Sequence, residues 1–251
     1  MEPVGPSLRT LWCLAEVCAS YRLGVSGPRE SRRMAQLTQF PQTFSAPPER
    51  GSWIENSLWW VMLLTSAAIV AYGTTYFVAT PGNPHFAHYI LPLRLHIAGG
   101  MGALLAGPWQ FSRKLRARAL NLHRWMGRFY LLEVALGSVA GFAMAVVSEG
   151  GLPTHFGFGI LAGLWFFTGL QAYRMVRKGN IEAHRQWMIR NFALTFAAVT
   201  LRVQLPFMLA ALHWPFLRSY ITVSWLCWVP NLLIAEWMVR RRARLPAQNP
   251  A

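Results

Sequence analysis

Six long apolar runs decide what this chain can fold into. They cover roughly residues 57–79, 89–111, 125–147, 154–176, 187–212 and 219–239. Each is about the twenty residues that cross the hydrocarbon core of a bilayer as α-helix. Lipid offers the backbone no hydrogen-bond partner, so each crossing segment must satisfy its own N–H and C=O groups as helix. The expected fold class is therefore an all-α integral membrane protein with six transmembrane helices. The composition agrees: 54% of the residues are hydrophobic and 13% are charged, too apolar and too charge-poor for an ordinary soluble domain.

The formal net charge of +15 raises the question of nucleic acid, and the placement of the charge excludes it. Arg113, Lys114, Arg116, Arg118 and Arg124 follow the second run. Arg174, Arg177, Lys178 and Arg185 follow the fourth, and Arg240, Arg241, Arg242 and Arg244 end the sixth. The alternate loops, 80–88 and 148–153, carry no Lys or Arg, and 213–218 carries only Arg218. This is the positive-inside distribution, which places both termini in the cytoplasm. Residues 1–52 read as a poorly ordered basic cytoplasmic extension, 53–241 as the membrane domain and 242–251 as a cytoplasmic tail. The apolar patch at 11–19 is too short to span and has no convincing cleavage site after it, so no signal peptide is expected. Met34 is a candidate alternative start.

Histidine placement gives the sharpest site expectation. His96, His123, His155 and His184 fall on spans two, three, four and five in that order. With alternating span directions, His96 and His155 lie toward the outer face, and His123 and His184 at the inner face. The spacing is 27 residues from His96 to His123 and 29 from His155 to His184, in each case one crossing plus a turn. The words repeat too: "HRWMGR" at 123–128 and "HRQWMIR" at 184–190. The chain thus reads as a tandem two-helix hairpin, with spans two to five forming a four-helix core bundle. Two facing imidazoles at each depth are the ligand set of a bis-His haem b, one or two per chain. The expected metal ligands are His96 with His155 and His123 with His184. Arg94 and Arg202 are expected at the outer propionates, and Arg128 and Arg190, with Arg124 and Arg185, at the inner ones.

Glycines on the ligand helices (Gly100 and Gly107, Gly159 and Gly163, Gly127 and Gly141) read equally as porphyrin clearance or as helix packing. Each His-Arg pair reads equally as an interfacial anchor to lipid phosphate. His88 is an alternative outer ligand. Three Cys without a C-x-x-C-H arrangement exclude covalent haem attachment. No P-loop, G-x-S-x-G, H-E-x-x-H or dinucleotide fingerprint is present. The His do not converge at one depth as zinc ligands do. Glu133 and Glu236 are the acids well inside spans, read as structural or as a proton site.

The stretches "LHIAGGMGALLAGPWQF", "HRWMGRFY" and "HRQWMIRNFALTFAAVTLR" resemble the bacterial predicted membrane proteins grouped as domain of unknown function 2306, over roughly residues 55–240. The matching residues are His96, Gly107, Pro108, Gln110, His123, Arg124, Gly127, Arg128, Tyr130, His184, Arg185, Arg190 and Arg202. That resemblance implies a bacterial inner membrane and no particular chemistry. The architecture is also similar to the cytochrome b-561 family, which passes electrons across a membrane from a small reductant. It implies a b-type cytochrome with an electron donor, such as a quinol or small reductant, and an acceptor. The alternatives are a cofactor-free transporter or anionic-lipid or solute binder, and a structural subunit of a membrane complex.

Overall fold

The computed structural model describes residues 53–78 and 88–244. The expected N-terminal extension, the outer-loop His85 and the tail from residue 245 lie outside the described residues. Among the described residues there are nine α-helices and no strand: α1 Trp53–Val78, α2 Ile90–Gln110, α3 Arg113–Arg118, α4 Leu120–Val146, α5 Leu152–Arg177, α6 Ile181–Thr195, α7 Ala197–Ala210, α8 Phe216–Leu226 and α9 Val229–Arg244. Six segments are long and apolar enough to cross a membrane: Asn56–Val78, Ile90–Gln110, Leu120–Val146, Leu152–Arg177, Ile181–Ala210 and Phe216–Ala243. Spans three and five begin several residues before the apolar runs do. His123 and His184 are therefore each the fourth residue of a helix. Helix α9 continues to Arg244, into the segment expected as tail.

The connections follow local chemistry. The short basic helix α3 is started by Ser112, whose Oγ accepts from the Leu115 N–H at 3.2 Å. Between α5 and α6, Gly179 has φ +74° and the Asn180 N–H reaches back to the Met175 carbonyl at 3.0 Å, a left-handed helix stop. Asn180 then starts α6, its Oδ1 accepting from the Ala183 N–H at 2.9 Å.

Spans two to five make the bundle, in the chain order expected. Helices α2 and α4 share the most extensive contact, with α4 then packing on α5 and α5 on α6. Small residues allow the close approach: a methyl group added at Gly99 would lie 2.6 Å from the Gly137 Cα. The ring closes where the Phe192 ring of α6 fills the groove over Gly107 of α2. Helix α1 packs on α2 and touches α7, while α8 and α9 pack on α5, α7 and α6.

Two diagonals cross the interior. Trp165 of α5 meets the His96 ring of α2 edge-on at 6.4 Å between centroids. Tyr130 of α4 donates to Asn191 Oδ1 of α6 at 2.7 Å and lies 2.9 Å from Thr195 Oγ1. Asn191 Nδ2 donates to the Trp165 carbonyl and to Thr168 Oγ1, both at 2.8 Å, and Trp165 Nε1 donates to Thr195 Oγ1 at 2.8 Å. Tyr130 and Asn191 are fully buried. With no water in the bilayer core, polar side chains at this depth need such partners.

Spans five and six are each broken. The break between α6 and α7 falls at Phe196, and that between α8 and α9 at Cys227 and Trp228, just before Pro230. Asn231 ties the two together, its Nδ2 donating to Thr200 Oγ1 at 2.8 Å and to the Cys227 carbonyl at 3.0 Å.

Candidate functional site

The starts of α4 and α6 bring His123 and His184 within electrostatic reach of each other, on helices diagonal in the bundle. His184 Nδ1 is 2.8 Å from the Ala172 carbonyl of α5. That bond fixes the ring, puts a proton on Nδ1 because a carbonyl only accepts, and leaves Nε2 uncommitted. His123 Nδ1 is buried with no hydrogen-bond partner.

Cations crowd the same place. Arg116 and Arg124 act on His123. Arg116 Nη1 donates to the Gln110 carbonyl at 2.9 Å. Burial, with Arg185 and Arg113 nearby, holds the Arg116 guanidinium below its ordinary value, although a guanidinium stays protonated at neutral pH. Gln110 is 7% exposed, and its Nε2 has no partner. Its Oε1 faces Gly127, one helical turn above His123, where a Cβ would lie 3.1 Å away. The carboxylate nearest in sequence, Glu182, sits on the exposed rim and is 3.3 Å from both Arg185 Nη1 and Gln186 Nε2. Gln110, Arg116, His123, Arg124, His184 and Arg185 thus gather polar nitrogens and positive charge around one spot, with two buried nitrogens left unmatched. A group rich in acceptor oxygens satisfies them.

The other expected pair is not assembled. His96 Nδ1 is 2.8 Å from the Gly137 carbonyl, and its ring lies over Gly141, where a Cβ would come within 2.7 Å. His155 Nε2 is 2.9 Å from the Ser148 carbonyl at the turn that precedes its own helix. Those two carbonyls are eleven residues apart, about 16 Å along α4 and its end. The structure does not bring these two imidazoles together. Trp165, not His155, is the α5 side chain beside His96.

The arginines divide in the same way. Arg202 is at the expected outer level and acts on His96. Arg94 Nε donates to the Tyr76 carbonyl at 3.3 Å. Arg128 instead stacks on Trp125, 4.8 Å from the ring centroid, with both residues exposed. Arg190 is ion-paired with Glu236 of α9 at 2.8 Å, which also accounts for that acid. Glu133 lies against Gly102, with a Cβ there only 2.8 Å from its Oε2. Sequence reading missed the Tyr130–Asn191–Thr195 layer and the unmatched Gln110. The available signal was polar residues inside apolar runs.

A four-helix membrane bundle with paired polar clusters at its two ends defines a class of protein, and the sequence places the chain within it. The model of the predicted membrane protein family DUF2306 matches residues 93–239, which is more than half of the chain. The protein belongs to that family. It has no significant match among curated proteins or solved structures.

Proposed function

We propose that the protein binds an anionic group at the arginine-rich end of the bundle, between α2, α4 and α6, and that this end faces the cytoplasm of a bacterial inner membrane. The positive-inside distribution supports the orientation. The observation that carries the reading is the pair of buried, unpartnered nitrogens, Gln110 Nε2 and His123 Nδ1, within reach of the charges of Arg116, Arg124 and Arg185. An unmatched buried polar group costs about 1–3 kcal/mol, a cost that a phosphate or carboxylate oxygen removes at the Gln110 amide and at a protonated His123 Nδ1. The source is an anionic lipid headgroup or a soluble anion. Binding of the purified protein to vesicles of phosphatidylglycerol, with inorganic phosphate as competitor, tests this. Saturable binding lost in Arg185→Gln and His184→Ala supports it, and competition by phosphate identifies a soluble ligand. Binding indifferent to both substitutions refutes it.

A second reading has one specific observation in its favour: His123 and His184 approach each other from diagonal helices, and each ring has an uncommitted nitrogen. These residues fit as the two ligands of one b-type haem, with Arg116, Arg124 and Arg185 beside its propionates. Such a group supplies one-electron transfer when bound. His96 and His155 are not brought together, so the form of the cytochrome expectation proposed here has a single haem. A reduced-minus-oxidised visible spectrum of the purified protein, with haem quantified per chain, separates the two readings.

A further inference from the structure

A second cluster lies at the opposite end of the molecule and does not depend on the arginine-rich site. Arg202 of α7 lies 18 residues beyond His184 along span five, about 27 Å by helical rise. Its guanidinium stands 5.7 Å from the Tyr72 ring centroid. Its Nη1 donates to the Ala198 carbonyl at 3.1 Å, one turn back on its own helix. Its Nε is buried with no partner. A guanidinium has five N–H donors in a planar fork, and among the described residues Arg202 has no hydrogen-bond partner outside α7.

The surrounding groups are donors as well. The Tyr72 and Tyr76 hydroxyls are 3.5 Å apart on successive turns of α1. Both tyrosines act on Arg202, and Arg202 acts on His96. Arg94 is held close by its bond to the Tyr76 carbonyl. Among the described residues, no carboxylate acts on either Arg202 or His96. A cation within a span is costly and calls for a counter-charge. Here the chain supplies phenols, which are neutral at ordinary pH.

The cluster opens sideways. Tyr72 is half-exposed, and Val203 and Phe207, beside Arg202 on α7, are exposed apolar residues. Helix α1 reaches α2 over a narrow seam, with a Cβ at Gly73 meeting the Met101 side chain. A ligand reaching Arg202 from this side comes through lipid, so it has an apolar tail. Its polar end is an acceptor with one negative charge. A neutral ring carbonyl would match the hydroxyls but would leave the half-buried cation uncompensated. A carboxylate matches the planar fork and its charge together.

We propose that Arg202, with Tyr72 and Tyr76, forms a site for the carboxylate of a long-chain amphiphile entering from the bilayer between α1 and α7. The carboxylate takes the free donors of Arg202 and the phenol hydroxyls, and its chain lies along Val203 and Phe207.

The test is equilibrium binding of radiolabelled palmitate to the full-length protein in detergent, with hexadecanol and phosphatidylglycerol as competitors. One saturable site per chain is expected. A charge-assisted hydrogen bond is worth enough that Arg202→Gln should weaken binding about tenfold or more. Tyr72→Phe, which removes one half-exposed hydroxyl, should weaken it about threefold while leaving the elution profile unchanged. Arg185→Gln at the other end should change nothing. Competition by hexadecanol as strong as by unlabelled palmitate overturns the charge argument. Stronger competition by phosphatidylglycerol overturns the assignment to a carboxylate. Absence of saturable binding, or binding unchanged in folded Tyr72→Phe and Arg202→Gln, overturns the site itself. If Arg202→Gln does not fold, Tyr72→Phe combined with Tyr76→Phe decides.

Discussion

The two ends of the bundle carry the same histidine pattern, and only one end assembles it. His123 and His184 stand in the first turns of α4 and α6, within electrostatic reach of each other, with His184 held on the Ala172 carbonyl and His123 Nδ1 buried. His96 and His155 come from α2 and α5 with almost the same spacing, yet their rings bind carbonyls about 16 Å apart. Chain spacing measures depth, because each helical residue advances a fixed rise. It does not measure the direction in which a side chain leaves its helix. At the basic end, both direction and depth are fixed by two equivalent helix starts. At the other end, His96 is well inside α2, while His155 is the fourth residue of α5 and its ring reaches back to the Ser148 carbonyl in the turn before that helix.

Four substitutions test this contrast, taken from the largest expected effect to the smallest. The polar layer between the ends is the first target. Asn191→Leu strips Tyr130, Trp165 and Thr168 of a shared partner and should destabilise the protein by about 3 kcal/mol. Thermal unfolding in detergent measures it, and a loss below half of that would show the layer to be dispensable. Gly137→Ala acts on the α2–α4 seam, since a Cβ there comes 2.9 Å from the Trp165 ring and 3.3 Å from the Gly99 carbonyl carbon. The expected cost is about 2 kcal/mol of overpacking in the same unfolding assay. His184→Ala should lower the affinity for phosphatidylglycerol vesicles about tenfold, or about 1.4 kcal/mol, without touching palmitate binding. His155→Ala should cost only about 0.5–1 kcal/mol, the worth of one hydrogen bond to a turn carbonyl. It should leave ligand binding at both ends unchanged. A large loss of binding in that variant would mean that the ends are not as different as the geometry makes them.

Much of this architecture was legible in the sequence. Six apolar runs gave six spans, since lipid allows the backbone few alternatives, and the basic loops marked one end. The four-helix core and its order followed from the repeated His-Arg words. Helix starts were less legible: α4 and α6 begin before their apolar runs because Leu120–Leu122 and Ile181–Ala183 continue the helix into polar surroundings. Arg190 was read as a ligand-holding group, but Glu236 reaches it from a helix 46 residues away, a pairing that no local pattern reveals. Arg128 turned out to face outward over Trp125. Its position about a turn and a half from His123 was visible, whereas its direction depended on which face of α4 meets α2. Tyr72 and Tyr76 escaped notice for a related reason: span one carries no histidine, so nothing in its own sequence tied it to Arg202.

The buried layer at mid-depth has a consequence for the membrane that holds the protein. Tyr130, Trp165, Thr168, Asn191 and Thr195 direct their donors at one another or at backbone carbonyls, and Phe192 closes the groove at Gly107. Each donor named here already has an acceptor, so the layer gives a charged solute in the membrane no open partner between the two ends.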